Sequence, residues 1–221
     1  MDSGAYAYVN ITTRGAEKTP KTDEGKLYHL MAREVAMIRR FNHPNIVKVL
    51  DFIHTDEEKT IILEPLNKII PPVSLEKSKR YMNHLLHGVA EMHKQKIAHL
   101  DIKLGNIMTD DHDVLKLIDF GLSALFSDKP QSGIVGTQEY MAPEIKDQWY
   151  ADKLDIWACG VCYYMMRYEQ APYNAQKLES YKNLKFDTVP NRPLDAIMAD
   201  CFIKTPDQRP SAEDLIKKYF Q

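Results

Sequence analysis

The chain lacks three features that would assign it to large classes of protein. No apolar run approaches the roughly 18 residues that span a bilayer, and the N-terminus has no signal-peptide-like apolar segment. Only 3 of the 221 residues are cysteine, which gives no even disulfide framework and favours a reducing compartment. The net charge of -2 predicts no general attraction to nucleic acid or to an anionic membrane. We therefore expect an intracellular protein, cytoplasmic or nuclear, without a nucleic-acid or membrane partner.

The proportions of hydrophobic and charged residues are typical of a globular protein. Hydrophobic residues make up 44% and charged residues 27%, and 221 residues suit one large domain or two small ones. Cys159 and Cys162 have the spacing of a redox pair, but they lie within an apolar run at residues 156–166. That run predicts a buried helix instead.

Residue patterns predict short strands and one helix in the first part of the chain, followed by a mainly helical part. Residues 14–26 are polar and contain Gly15, Pro20 and Gly25, which indicates a flexible connection. The predicted strands are residues 6–11, 46–52, 59–63, 107–108 and 115–118, and the predicted helices are 27–41, 79–96, 155–167 and one beginning at Ser211.

Two motifs carry most of the functional information. Residues 99–106 have the pattern His-x-Asp-x-Lys-x-x-Asn, whose four fixed identities arise by chance about 10⁻³ times per chain of this length. Asp-Phe-Gly follows at residues 119–121. Together the two motifs resemble the catalytic loop and the metal-binding loop of a protein kinase.

The resemblance implies a role for each polar residue of these loops. Asp101 would accept the proton of a substrate hydroxyl, and Lys103 would pair with the transferred phosphate of ATP. Asn106 and Asp119 would hold Mg²⁺. In the family, a lysine at the position of Lys103 is typical of serine/threonine kinases.

Further matches follow downstream. Residues 142–144, Ala-Pro-Glu, resemble the end of a kinase activation segment, and the family implies a buried ion pair between Glu144 and Arg209. Asp155 matches the residue that anchors the catalytic-loop backbone, and Thr137 matches a threonine that bonds near the catalytic aspartate. These matches support the fold more than the activity.

Leu100 departs from the pattern, because many kinases have arginine at this position. That arginine normally pairs with a phosphorylated activation segment, and leucine cannot do so. We therefore predict that phosphorylation of Ser123, Ser127, Ser132 or Thr137 is not a required on-switch.

The N-terminal part departs further. When the family pattern Val-Ala-Ile-Lys is aligned on Ala7, Val9 occupies the slot of the lysine that holds the ATP phosphates and pairs with Glu34. Lys18, with Ala16 two residues before it, is the alternative. It is disfavoured because residues 15–18 make a poor strand.

A glycine-rich phosphate loop is missing from this alignment. None of the nine glycines occurs in a Gly-x-Gly-x-x-Gly pattern, and eight residues before Val9 leave no room for the loop and its two strands. The interpretation is a truncated small lobe with an exposed sheet edge at Ala7 and Ile11, which a partner would cover.

The predicted fold class is α+β, a bilobal protein kinase-like fold. It comprises a truncated β-rich N-lobe at residues 1–64 without its first two strands and Gly-rich loop, a hinge at 65–70, and a mostly helical C-lobe at 71–221. The residues expected to bind ATP, besides Asn106, are Ala7, Leu63, Glu64, Leu66 and Met108.

Three hypotheses about function stay open. The first is a serine/threonine kinase that transfers the γ-phosphate of ATP to protein serine or threonine hydroxyls. The second is a pseudokinase or decoy that binds a kinase, or a kinase substrate, without turnover. The third is a fragment that does not fold alone. Separately, His84 and His87 could bind a metal, but a polar pair is favoured because no third ligand is nearby.

Overall fold

The computed structural model describes residues 2–3, 7–22, 25–55, 58–173 and 194–221. These residues form two lobes, a small one built on a β-sheet and a larger one that is mainly helical. Among them, no helix is long and apolar enough to cross a membrane.

The small lobe is a five-stranded sheet with one helix packed against it. The strand order is β1-β2-β3-β5-β4. Helix α1 packs on the sheet through a small apolar cluster of Met31, Val35 and Ile61. The elements are β1 (Asp2–Ser3), β2 (Ala7–Thr12), β3 (Gly15–Pro20), α1 (Gly25–Ile38), β4 (Val49–His54) and β5 (Lys59–Leu63).

The polar segment at residues 14–26 is not the flexible connection that its composition predicts. Strand β3 pairs with β2 from Thr12 opposite Gly15 to Ala7 opposite Pro20, and with β5 on its other side. Gly15 has a φ of +136°, and a Cβ there would lie 2.4 Å from the carbonyl oxygen of Leu63. Pairing on both sides therefore overrides the weak strand propensity of this segment.

The expectation that the first two strands are absent is wrong. Strands β1 and β2 both precede β3, although β1 is only two residues long. Ala7 is 5% exposed, which contradicts the predicted exposed edge, whereas Ile11 is 67% exposed as expected. Residues 4–6, which include the start of the strand predicted from Tyr6, lie outside the described residues.

The large lobe surrounds an extensive apolar core. Its central helix, α3, is buried along most of its length, and Trp157 at its middle is fully buried. The remaining elements are β6 (Asn67–Lys68), α2 (Leu75–Lys94), β7 (Ile97–Ala98), β8 (Ile107–Thr109), β9 (Leu115–Leu117), β10 (Ala124–Leu125), α3 (Ala151–Tyr168), α4 (Ala196–Cys201) and α5 (Ala212–Tyr219).

Serine side chains cap the starts of two helices in the large lobe. The Ser74 hydroxyl accepts the N–H of Lys77 at the start of α2. At the start of α5, Ser211 and Asp214 form a capping box. Local polar residues therefore fix where these helices begin.

The two cysteines that have the spacing of a redox pair are buried in the core. Cys159 and Cys162 are fully buried in α3, and burial raises the pKa of both thiols. The expectation of a buried helix, rather than a redox pair, agrees with this environment.

The segment after α1 attaches the small lobe to the large one. Asn45 is buried, and its amide donates to the carbonyl of Leu115 at 2.8 Å. The N–H of Leu117 donates to the Asn45 carbonyl, and the N–H of Val47 donates to the Leu117 carbonyl. Three hydrogen bonds therefore join this segment to β9 of the large lobe.

Candidate active site

Lys18 lies at the centre of a charged network that joins the two lobes. Its Nζ is 2.8 Å from both carboxylate oxygens of Glu34 on α1 and 3.2 Å from Oδ1 of Asp119 in the large lobe. The Lys18 side chain is 17% exposed and that of Glu34 only 5%. The interpretation that Val9 occupies the lysine position is therefore wrong. Val9 lies opposite Lys18 on the neighbouring strand.

The charges of this network favour the ionised forms of Lys18 and Asp119, whereas burial raises the pKa of Glu34. Burial alone would lower the pKa of Lys18, but the charges of Glu34 and Asp119 outweigh burial and raise that pKa. Burial would likewise raise the pKa of Asp119, but the charge of Lys18 outweighs it and holds that pKa below its usual value. A fixed ammonium thus faces a carboxylate across the cleft.

A second polar group surrounds Asp101. Thr137 donates to Oδ1 of Asp101 at 2.6 Å, and the Asn106 amide donates to Oδ2 at 2.9 Å. Lys103 Nζ lies 2.7 Å from Oδ2 and also donates to the Thr137 hydroxyl at 3.0 Å. These partners fix the orientation of the Asp101 carboxylate.

A buried carboxylate binds the backbone of the loop that carries Asp101. The Asp155 carboxylate accepts the N–H groups of His99 at 2.8 Å and Leu100 at 2.9 Å, and it also contacts His93 Nε2 at 2.8 Å. Leu100 has a φ of 65°, which is unfavourable for leucine. Asp155 therefore stabilises a strained backbone immediately before Asp101, as the sequence predicted.

The segment that carries Thr137 approaches this loop closely. Gly136 has a φ of +90°, and a Cβ at this position would lie 2.6 Å from the Leu100 carbonyl oxygen. Only glycine fits such an approach without displacing the loop. Gly136 thus allows Thr137 to reach Asp101.

Asn106 and Asp119 are brought together by the backbone. The N–H of Ile118 donates to the Asn106 carbonyl at 3.0 Å, so Asn106 lies beside the residue that precedes Asp119. The Asn106 amide nitrogen is used by Asp101, which leaves its side-chain oxygen as the atom able to face a cation. One carboxylate and one amide oxygen fit Mg²⁺, which takes its other ligands from phosphates and water. No group of three His, Cys, Asp or Glu residues suited to a metal occurs among the described residues.

The predicted nucleotide-binding residues do not all lie in one place. Leu63 ends β5 opposite Ala16, while Leu66 directly precedes β6, which pairs with β8 at Met108. These three predicted residues are half-buried and border the connection between the lobes. Ala7 pairs with Pro20, four residues along β3 from Ala16, about 13 Å away. Ala7 therefore lies apart from Leu63, Leu66 and Met108.

The Glu64 side chain has a clear structural role. It accepts the N–H of Lys48 at 2.8 Å and pairs with the buried Lys116 at 3.1 Å. Lys48 precedes β4 in the small lobe, whereas Lys116 lies on β9 in the large lobe. The Glu64 carboxylate therefore bridges the lobes.

Comparison with known sequences places this geometry in a family. The sequence model of the protein kinase domain matches residues 9–221, which is nearly the whole chain. The chain belongs to the protein kinase family.

Individual relatives of this kinase domain are serine/threonine kinases. A probable serine/threonine-protein kinase KIN1 homolog of Enterocytozoon bieneusi is 29% identical over 82% of this chain and 31% of its own length. Serine/threonine-protein kinase plk-1 of Caenorhabditis elegans is 28% identical over 97% of this chain and 36% of its own. CBL-interacting protein kinase 11 of Oryza sativa subsp. japonica is 29% identical over 96% and 47%. The kinase domain therefore spans less than half of each relative.

The sequence offers Lys18 only as the disfavoured alternative to Val9 for the partner of Glu34. The signal in its favour is Ala16 two residues before it, which repeats the family's Ala-x-Lys spacing. The polar character of residues 14–26 hid the strand, because propensity describes a segment without its neighbours.

Two of the three histidines of α2, His84 and His87, contact the kinase fold through their ring nitrogens. Nδ1 of His84 accepts the N–H of Leu115 at 3.2 Å, and Nδ1 of His87 lies 2.8 Å from the Asn83 carbonyl. Both contacts agree with the favoured polar interpretation.

Proposed function

We propose that the chain is a serine/threonine protein kinase domain that transfers the γ-phosphate of ATP to hydroxyl groups of protein serine or threonine residues. The observation that carries this proposal is the contact of Lys18 with both Glu34 and Asp119. It supports Lys18 as the phosphate-binding lysine, which the alignment on Ala7 lacked.

In this proposal the large-lobe loop performs the transfer. The substrate hydroxyl oxygen attacks the γ-phosphorus, the bond to the β-phosphate oxygen breaks, and ADP leaves with that oxygen. Asp101 accepts the hydroxyl proton, which the contacts with Thr137 and Asn106 support by fixing its carboxylate. Lys103, beside Asp101, neutralises charge on the transferred phosphate.

Nucleotide and metal would be held by both lobes. Lys18 would bind the α- and β-phosphates, and Asn106 and Asp119 would hold Mg²⁺, which neutralises charge on the β- and γ-phosphates when bound. Leu63, Leu66 and Met108 would enclose the adenine.

The upper wall of the adenine site needs a different residue from Ala7. We place Ala16 there, with Val9, because Ala16 pairs with Leu63 at the edge of the hinge. The division into an N-lobe at 1–64, a hinge at 65–70 and a C-lobe at 71–221 belongs to this proposal.

A second candidate is a decoy that binds a kinase, or a kinase substrate, without turnover. The observation in its favour is the lack of any Gly-x-Gly-x-x-Gly pattern in the sequence, since that loop normally covers the phosphates. Val9 no longer supports the decoy, because in this proposal the lysine position belongs to Lys18.

Radiolabelled ATP and a serine/threonine-rich protein such as casein separate the two candidates. We expect Mg²⁺-dependent transfer that Asp101→Asn abolishes, since that change keeps the shape of the side chain but removes the base. Saturable binding to another kinase without detectable transfer would favour the decoy. A chain without a cooperative thermal transition would be a fragment that does not fold alone.

A further inference from the structure

Helix α1 makes a second contact with the metal-binding loop, next to the one made through Glu34. Arg33 donates from Nη1 to the Gly121 carbonyl at 3.2 Å and from Nη2 to the Ser123 carbonyl at 2.6 Å. Gly121 belongs to the Asp-Phe-Gly motif. Two successive residues of one helix thus contact the site, Glu34 through Lys18 and Arg33 through the loop backbone.

The carbonyl groups that accept from Arg33 belong to a firmly attached segment. Ser123 is fully buried, and its N–H donates to the Phe120 carbonyl at 3.1 Å. Strand β10 follows at once and pairs with β7, which directly precedes His99. Arg33 therefore attaches α1 to a backbone segment that is itself fixed beside the catalytic loop.

This contact matters because it joins α1 to the metal-binding loop through the main chain of that loop. The apolar packing of α1, which includes Tyr28 stacked on His54 and the buried Ile38, attaches the helix to the sheet and to the core instead. The Lys18–Glu34 pair depends on the position of α1, and the Lys18–Asp119 contact depends on the position of the loop. A guanidinium that donates to two loop carbonyls couples these positions in a fixed geometry, which a single flexible ammonium cannot do.

The contact also needs no phosphate. Leu100 occupies the place from which an arginine would bind a phosphorylated activation segment, and Arg33 uses main-chain carbonyls that are always present. Ser127 and Ser132, further along the segment, are exposed and take no part in it.

We propose that Arg33 is a positioning residue that holds α1 against the metal-binding loop, so that the Lys18–Glu34–Asp119 network forms in the unphosphorylated chain. The proposal rests on the function proposed above, because it concerns the Mg²⁺-ATP site of that function. In kinases with an arginine before the catalytic aspartate, a phosphate on the activation segment orders the site. In this chain Arg33 takes that regulatory role.

The test compares Arg33→Met with Arg39→Met, both in phosphatase-treated full-length chain. Methionine keeps an apolar stem and removes the guanidinium. Arg39 is also exposed, lies just after α1, and contacts neither the loop nor Lys18. A thermal transition confirms that each variant is folded.

We expect Arg33→Met to raise the dissociation constant of Mg²⁺-ATP about tenfold, the size typical of hydrogen bonds from a charged donor. ATP without Mg²⁺ should lose clearly less affinity than Mg²⁺-ATP, because only the contact of Lys18 with the phosphates is then affected, whereas the loop acts on the phosphates through the metal. Hydrogen exchange at residues 120–125 should quicken about tenfold in the nucleotide-free protein. Arg33→Lys should be intermediate, since lysine reaches one carbonyl, and Arg39→Met should match the wild type.

Two results would overturn the proposal. One is an Arg33→Met variant that matches Arg39→Met in both Mg²⁺-ATP affinity and exchange. The other is an equal loss of affinity with and without Mg²⁺, which would indicate general destabilisation. If the wild type binds Mg²⁺-ATP but transfers no phosphate, the proposed function fails. The Mg²⁺-ATP affinity and the hydrogen exchange of the variants still test the positioning role of Arg33. If it binds no nucleotide, exchange at residues 120–125 alone decides.

Discussion

At the scale of single residues, Lys18 joins carboxylates that come from different lobes. Glu34 lies on α1 of the small lobe, and Asp119 lies in the large lobe. An ammonium between them can bind phosphate only if it is held at the cleft, and Glu34 holds it there. The effect of the Lys18 charge on a phosphate therefore depends on the carboxylate that holds the lysine in position.

Replacement of Lys18 by methionine should reduce phosphoryl transfer by about 10²–10³, the usual effect of removing one preorganised charge. It should also destabilise the fold by about 3 kcal/mol, because the buried Glu34 carboxylate loses its partner. Steady-state kinetics and urea denaturation measure the two effects.

The double variant Lys18→Met/Glu34→Gln separates stability from activity. It should recover much of the stability, since no unpaired buried charge remains, while the activity stays low. The exposed Lys48→Met variant is the matched control and should change neither. Wild-type activity in Lys18→Met would contradict the assignment of this lysine.

At the scale of elements, strand β3 shows what pattern-based prediction misses. Predictions for α2, α3 and β5 were close to the observed elements, because each carries a clear apolar period or run. Strand β3 has the sequence Gly-Ala-Glu-Lys-Thr-Pro and no such pattern. It is a strand because β2 and β5 supply backbone partners on both sides.

The contact of α2 with β9 should make stability depend on pH. His84 accepts the Leu115 N–H, and burial, followed by the charge of Arg80, lowers the pKa of His84. A lowered folded-state pKa means stability that is present above the unfolded-state value, about 6.5, and is lost as the pH falls through the folded-state value.

Denaturation at pH 7.5 and pH 5.5 measures this contribution. We expect His84→Gln to lose less stability on acidification than the wild type, since glutamine offers an acceptor that does not titrate. The exposed His112→Gln variant should behave like the wild type. Identical losses in the wild type and His84→Gln would remove His84 as the cause.

At the scale of the whole molecule, the two lobes are joined by polar contacts as well as by the chain. Lys116 is 5% exposed, and Glu64 is its ion-pair partner across the junction. Glu64→Gln keeps an acceptor for the Lys48 N–H but leaves the Lys116 charge unpaired. It should destabilise by about 2 kcal/mol, less than the 3–5 kcal/mol of a fully buried pair because Glu64 is partly exposed.

A double variant tests this origin. Glu64→Gln/Lys116→Met should be more stable than Glu64→Gln alone by calorimetry, because the unpaired charge is gone. If the double variant is the less stable of the two, the ion pair is not what stabilises the junction.

The core of the large lobe contains a more deeply buried pair. Arg209 is 1% exposed, donates to both oxygens of Glu144 at 2.7 and 3.1 Å, and stacks on Trp157. Arg209→Met should cost about 3–5 kcal/mol, measured by urea denaturation, because Glu144 remains buried without a partner. An effect as small as that of the exposed Arg39→Met would contradict this account.

The sequence by itself determined the family, the two-lobed class and the polar residues of the large-lobe site. The reason is that residues 99–106 and 119–121 are short local motifs whose members are fixed by identity and spacing. The pairs Glu144–Arg209 and Asp155 with the loop backbone also followed from these matches.

Only the tertiary structure decided which residue pairs with Glu34 on one side and with Asp119 on the other. Lys18 and Glu34 are 16 residues apart, and Asp119 is a further 85 residues away, so no local pattern connects the three. Their meeting depends on the pairing of β3 between β2 and β5 and on the position of α1. Contacts of that kind exist only once the lobes have packed together, because neither strand propensity nor charge pattern encodes them within one segment.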